Sequence, residues 1–128
     1  MLLLDTHAYI WLASDQSQLT PAGLEAIRGS AGTLFVSSIS ALETALLVKR
    51  GRLQLPCAPL LFYRRALEQH HLHEVAVDHE VAFQSADLPD IHNDPFDRLL
   101  VATALVRQMT ILSRDAILPR YPGVRVVW

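Results

Sequence analysis

The chain has 128 residues, 51% of them hydrophobic, and a formal net charge of −2. That length predicts one domain, residues 1–128, able to bury a core without disulfides or a structural metal. The composition excludes a disordered chain, and the near-neutral charge argues against a protein that coats nucleic acid through phosphate contacts alone. The lone Cys57 excludes an internal disulfide and fits a reducing cytosol. Met1 to Ser14 is apolar but lacks a basic start and carries Asp5 and His7, so it does not read as a leader. No apolar run reaches transmembrane length, and the expectation is a soluble cytoplasmic protein with no membrane contact.

Leu2-Leu3-Leu4 is a short apolar run ended by Asp5, the pattern of a buried parallel strand. Ala8 to Ala13 reads as a short helix, and Thr20-Pro21 caps a second one that stops near Gly29. Thr33 to Val36 is the second strand. A helix is expected from Ser40 to about Arg50, with Gly51 as its stop, and another from Pro59 to His71. Val75 to Val77 is the third strand, and Asp78 starts a helix through Ala86. After a loop from Leu88 to Asn93, Asp94-Pro95 opens a helix, with Asp94 as N-cap and Pro95 in the first helical position. Met109 to Leu112 and Val124 to Val127 complete five strands. Strands alternating with helices predict an α/β fold, a parallel sheet covered on both faces.

Four acids stand at element ends: Asp5, Glu43, Asp97 and Asp115. Asp97 falls on the first turn of its helix, where the helix dipole favours a carboxylate. Glu43 is expected three residues after Ser40, at the equivalent position, where it would also suit a capping box. Ligands of open parallel sheets bind beyond the carboxyl ends of the strands, where strand order reverses. If strands one and four are neighbours there, Asp5 and Asp115 face each other, and the four acids form an oxygen-rich site suited to Mg²⁺. One or two such ions would activate water and neutralise a phosphate.

Leu2 to His7, Ser37 to Glu43, His92 to Arg98 and Ile111 to Asp115 together resemble a PIN-domain protein, and more narrowly the VapC-type toxin ribonucleases. Asp-Pro-Phe-Asp-Arg is the most specific part of the match. The resemblance implies a three-layer α/β/α fold with a five-stranded parallel sheet and a Mg²⁺- or Mn²⁺-dependent endoribonuclease. It places the catalytic and metal-binding acids on Asp5, Glu43, Asp97 and Asp115, with Thr6 and Ser113 as supporting hydroxyls. It also implies an RNA substrate, a homodimer and a cognate antitoxin.

Around these acids, Asp94 and Arg98 are supporting residues, Arg98 being expected to pair with a nearby acid. Lys49, Arg50, Arg52, Arg114 and Arg120 read as surface charge that could flank an RNA path. His7 and His92 read as loop-orienting residues within reach of substrate. His70, His71 and His73 suggest zinc but lack a fourth ligand at a suitable spacing. Trp11, Leu46, Leu47, Phe62 and Tyr63 lie on helical faces, as core or as a groove for a partner helix. Trp11 and Leu46 are the expected partner-binding pair. The rival functions are a non-catalytic PIN scaffold that binds RNA or protein, and a receiver-type phosphoacceptor domain. The latter would need paired acids after strand one and a lysine near the last strand, whereas Thr6 and His7 follow Asp5 and Lys49 is the only lysine.

Overall fold

Three consecutive leucines form the middle of the sheet. In the computed structural model, which describes residues 1–128, β1 (Leu2–Leu4) is almost wholly buried and is flanked on both sides by parallel strands. Alternation of side chains along a strand sends Leu2 and Leu4 to one face and Leu3 to the other. Each face then nucleates its own core. Only a strand covered on both faces tolerates such an unbroken apolar run.

The other strands are β2 (Leu34–Ser37), β3 (His73–Val75), β4 (Thr110–Leu112) and β5 (Val126–Val127), in the order β3-β2-β1-β4-β5 with every pairing parallel. The helices are α1 (Thr6–Ser14), α2 (Pro21–Gly29), α3 (Ser38–Lys49), α4 (Pro59–Gln69), α5 (His79–Asp87) and α6 (Pro95–Arg107). Tyr9, Phe62, Tyr63 and Ala66 of α1 and α4 pack on the face of Leu2 and Leu4. Val81 of α5 and Leu100, Val101 and Ala104 of α6 pack on the face of Leu3. The architecture is the expected three-layer α/β/α sandwich, and strand order reverses between β1 and β4.

Several expected boundaries move. β3 lies two residues earlier than expected, because an edge strand with exposed His73 and Glu74 carries no apolar alternation to mark it. β5 begins at Val126, since Gly123 at φ +80° and Val124 still belong to the turn after Tyr121. The largest change is α3. It starts at Ser38 directly after β2, and its N-cap is Ser37, whose side chain accepts the Ile39 N–H. Glu43 is therefore the sixth residue of α3 and forms no capping box with Ser40. Phe62 and Tyr63 are buried core residues rather than walls of an exposed groove, and Tyr63 meets Tyr9 edge to face at 5.7 Å. Trp11 and Leu46 are half-buried.

Candidate active site

At the carboxyl ends of β1 and β4, beside the point where strand order reverses, lies a cleft of about 350 Å³. Five carboxylates line it: Asp5, Glu43, Asp94, Asp97 and Asp115. Each arrives by a local rule. Asp5 ends β1 and caps α1, accepting the Ala8 N–H at 2.6 Å. Glu43 reaches in from the second turn of α3. Asp94 caps α6 through the Phe96 N–H at 2.9 Å, and Asp97 projects from the first turn of that helix. Asp115 follows β4 in a turn closed on both sides: its N–H donates to the Ser113 hydroxyl at 3.1 Å, and its carboxylate accepts the Ile117 N–H at 2.8 Å.

The helices carrying Asp5 and Glu43 are joined by buried hydroxyls. Thr6 donates to Ser40 Oγ at 3.0 Å. Thr44 donates to the Ser40 carbonyl at 2.6 Å and lies 2.5 Å from the Tyr9 hydroxyl. Burial pushes the Tyr9 phenol up to about 12, so it remains a neutral donor. Ser113 is also buried, and its hydroxyl lies beside Asp5. Thr6 lines the cleft and Ser113 lies against Asp5.

Crowding and burial shape the electrostatics. Burial raises the Asp5 carboxyl above the usual carboxylate range, against hydrogen bonds from Ser113 and Ala8 that pull it down. Glu43 is raised by burial too, with the Thr6 hydroxyl opposing and the Asp94 charge adding to it. Asp97 is pushed up to about 7, first by burial and then by the charges of Asp94, Asp115, Glu43 and Asp5. Carboxylates packed this way repel one another unless a cation joins them.

His92 has a larger part than the sequence indicated. Its Nδ1 accepts the Asp94 N–H at 3.2 Å, and its backbone N–H donates to the buried Tyr121 hydroxyl at 3.0 Å. A neutral ring that accepts at Nδ1 carries its proton on Nε2. That atom lies 3.0 Å from Asp97 and 3.7 Å from Asp115. His92 therefore places one ring nitrogen between Asp97 and Asp115. The available signal was a histidine two residues before the N-cap of an Asp-Pro helix.

Arg98 corrects an expectation. It pairs with no acid; its two terminal nitrogens donate to the carbonyls of Ser85, Leu88, Pro89 and His92 at 2.9–3.3 Å. It clamps the loop that delivers His92 and Asp94. His70, His71 and His73 belong to no group of three ligating side chains, so the zinc reading gains nothing. Lys49, Arg50, Arg52 and Arg120 do not line the cleft, whereas Arg114 does.

The donor set fits a divalent cation. Its atoms are hard carboxylate oxygens on four separate segments, and one ligating atom each from His92, Asp97 and Asp115 lies within 4.8 Å of the others. Asp97 and Asp115 are the oxygens of that group.

This parallel α/β sandwich, with carboxylates gathered at its switch point, has the form of a nuclease that works on phosphodiesters. Residues 2–124 match the PIN domain family. Ribonuclease VapC22 of Mycobacterium tuberculosis is 33% identical over 130 residues, spanning 99% of this chain and 98% of the relative. The DNA-bound VapBC structure from Salmonella typhimurium superposes with a TM-score of 0.70 at 17% identity, covering 98% of this chain and 96% of that one. A toxin–antitoxin complex from Klebsiella pneumoniae gives 0.61 at 18% identity, covering 100% and 97%. The chain belongs to the PIN-domain family, in its branch of VapC-type ribonucleases. The family implies a divalent metal. No helix is long and apolar enough to cross a membrane.

Proposed function

We propose that this protein is a single PIN domain spanning residues 1–128 and the toxin of a toxin–antitoxin pair, an endoribonuclease that hydrolyses RNA at the Asp5, Glu43, Asp97 and Asp115 cleft. The supporting observation is the convergence of these acids, from four separate segments, on one cleft at the switch point. Asp97 and Asp115, with Asp5 beside them, would hold Mg²⁺ or Mn²⁺. When bound, the ion supplies charge neutralisation at the scissile phosphate and a more acidic water. Glu43, raised by burial, takes a proton from the attacking water. Water adds to phosphorus, the bond to the leaving ribose oxygen breaks, and that oxygen takes a proton from solvent. His92 holds Asp97, Thr6 and Ser113 buttress Asp5 and Glu43, and Arg98 fixes the loop.

An antitoxin segment would pack on the apolar faces of α1 and α3, with Trp11 and Leu46 as anchors and a basic residue entering the acid cleft. The working form is a cytoplasmic homodimer. The test is cleavage of total RNA by purified protein with Mg²⁺ or Mn²⁺, with chelator, and with Asp5→Asn and Asp97→Asn controls. Cleavage that needs the ion and both acids is expected. RNA binding without cleavage would make the protein a non-catalytic scaffold instead. Co-purification with the product of the neighbouring reading frame, weakened by Leu46→Ala, tests the antitoxin surface.

A further inference from the structure

The cleft holds five carboxylates but a single guanidinium, that of Arg114. Its surroundings are unusual for an arginine so close to acids. It makes no ion pair with any of them; the ion pairs present are His92 with Asp97 and Asp115, and Arg107 with Asp78. Instead its guanidinium carbon sits 4.6 Å above the centre of the Trp11 ring. Trp11 is itself held, with the Trp128 ring at 5.8 Å and the His7 ring at 5.5 Å, and it packs against the core beneath β1. Arg98, by contrast, spends its donors on backbone carbonyls.

We propose that Trp11 presents Arg114 as the phosphate-binding residue of the cleft, which grips the RNA backbone beside the scissile bond. This deepens the function proposed above and rests on that cleft being the active site. The physical reason lies in how the cation is held. An aromatic face fixes a guanidinium through its π cloud and leaves the in-plane N–H donors free. A carboxylate partner would have consumed those donors. Free donors in a planar fork match two oxygens of one phosphate, which a lysine ammonium matches less well. Polyanionic RNA must also approach a pocket of five acids, so a fixed positive charge on its rim offsets part of the repulsion. Arg114 lies between Ser113 and Asp115, which ties its position to the acids themselves.

The test measures RNA binding apart from cleavage. The probe is a labelled single-stranded RNA of mixed sequence, bound by Asp97→Asn protein over a range of salt concentrations. Adding Arg114→Ala should weaken binding about tenfold, as expected for a lost charged hydrogen bond. It should also flatten the salt dependence by roughly 0.7 in logarithmic slope, the share of one phosphate contact on a single strand. Arg114→Lys should keep the slope and recover only part of the affinity. Trp11→Phe should bind as the parent does, while Trp11→Ala should lose what Arg114→Ala loses and add nothing to it. In the cleaving enzyme the Arg114→Ala effect should fall on KM rather than kcat. Unchanged affinity and slope in folded Arg114→Ala would overturn the inference, whatever the Trp11 variants do; so would a loss confined to antitoxin binding. If Asp97→Asn still cleaves, the active-site reading fails first. If it is inert and Arg114→Ala is neutral, only this inference falls.

Discussion

The Nε2 of His92 lies 3.0 Å from the Asp97 carboxylate while its Nδ1 receives the N–H of Asp94, so one imidazole stands between the cap of α6 and the acid on its first turn. Residues that orient metal ligands commonly contribute 10–100-fold to affinity or rate. His92→Ala is expected to lower cleavage by about that factor and to weaken metal binding in calorimetry, without unfolding the protein. His92→Gln, which keeps a donor, should recover part of both. A His92→Ala enzyme with full activity would leave Asp97 positioned by its helix alone.

Asp97 makes the metal-free fold sensitive to pH. Its carboxyl is raised from 3.8 to about 7, so folding favours the protonated form. This group is without penalty below about pH 4, costs stability as pH rises from there to 7, and carries its whole penalty above 7. At 1.36 kcal/mol per unit the ceiling is roughly 4 kcal/mol, and part exposure with shared charges reduces it to about 1–2. Asp97→Asn should therefore raise Tm in chelator at pH 8 and leave it unchanged at pH 4.

The same proton competes with the cation. Mg²⁺ or Mn²⁺ needs the ionised Asp97, so affinity should fall toward tenfold per unit as pH drops below about 7. Titration calorimetry in buffers of different ionisation enthalpy should show close to one proton released per ion at pH 6 and almost none at pH 8.5. Equal affinity at both values would remove Asp97 from the ligand set.

Arg98 predicts a stability defect rather than a charge defect. Removing it orphans the carbonyls of Ser85, Leu88, Pro89 and His92. Arg98→Ala should cost about 2–4 kcal/mol in urea unfolding. Arg98→Lys should recover little, because an ammonium cannot span four acceptors in a plane. A loss of activity at temperatures where the variant is still folded would show the loop releasing His92.

How much of this was legible depends on where the partner of each residue lies in the chain. Asp94-Pro95 and Thr20-Pro21 are local signals, and both caps form where they were read. The all-leucine β1 follows from burial on two faces, whereas its pairing with β4 stands in the sequence only as a condition. Glu43 lies one turn further into its helix than the sequence predicts, because β2 runs into α3 with no intervening loop and Ser37 rather than Ser40 caps the helix. The acids still converge, since a glutamate is long enough to reach in from the second turn. The partners of Arg98 are not legible in the sequence, because they are backbone carbonyls, which carry no residue code. The standing of Arg114 above Trp11 joins the end of β4 to α1, a pairing that exists only once β1 and β4 are side by side.

The buried hydroxyl links between α1 and α3 divide the cleft into two mechanical halves. Asp5 and Glu43 stand on helices fastened together through Thr6, Ser40, Thr44 and Tyr9. His92 and Asp115 stand on turns held by side chains, the first by the Tyr121 hydroxyl and the Arg98 guanidinium and the second by bonds within residues 113–117. Amide deuteration should therefore separate them: the fastened half exchanges only with global unfolding, and the turns at 88–94 and 113–117 exchange through local opening. Added divalent cation would slow the second group and leave the first untouched, so the ion acts on the half of the pocket that is still free to breathe.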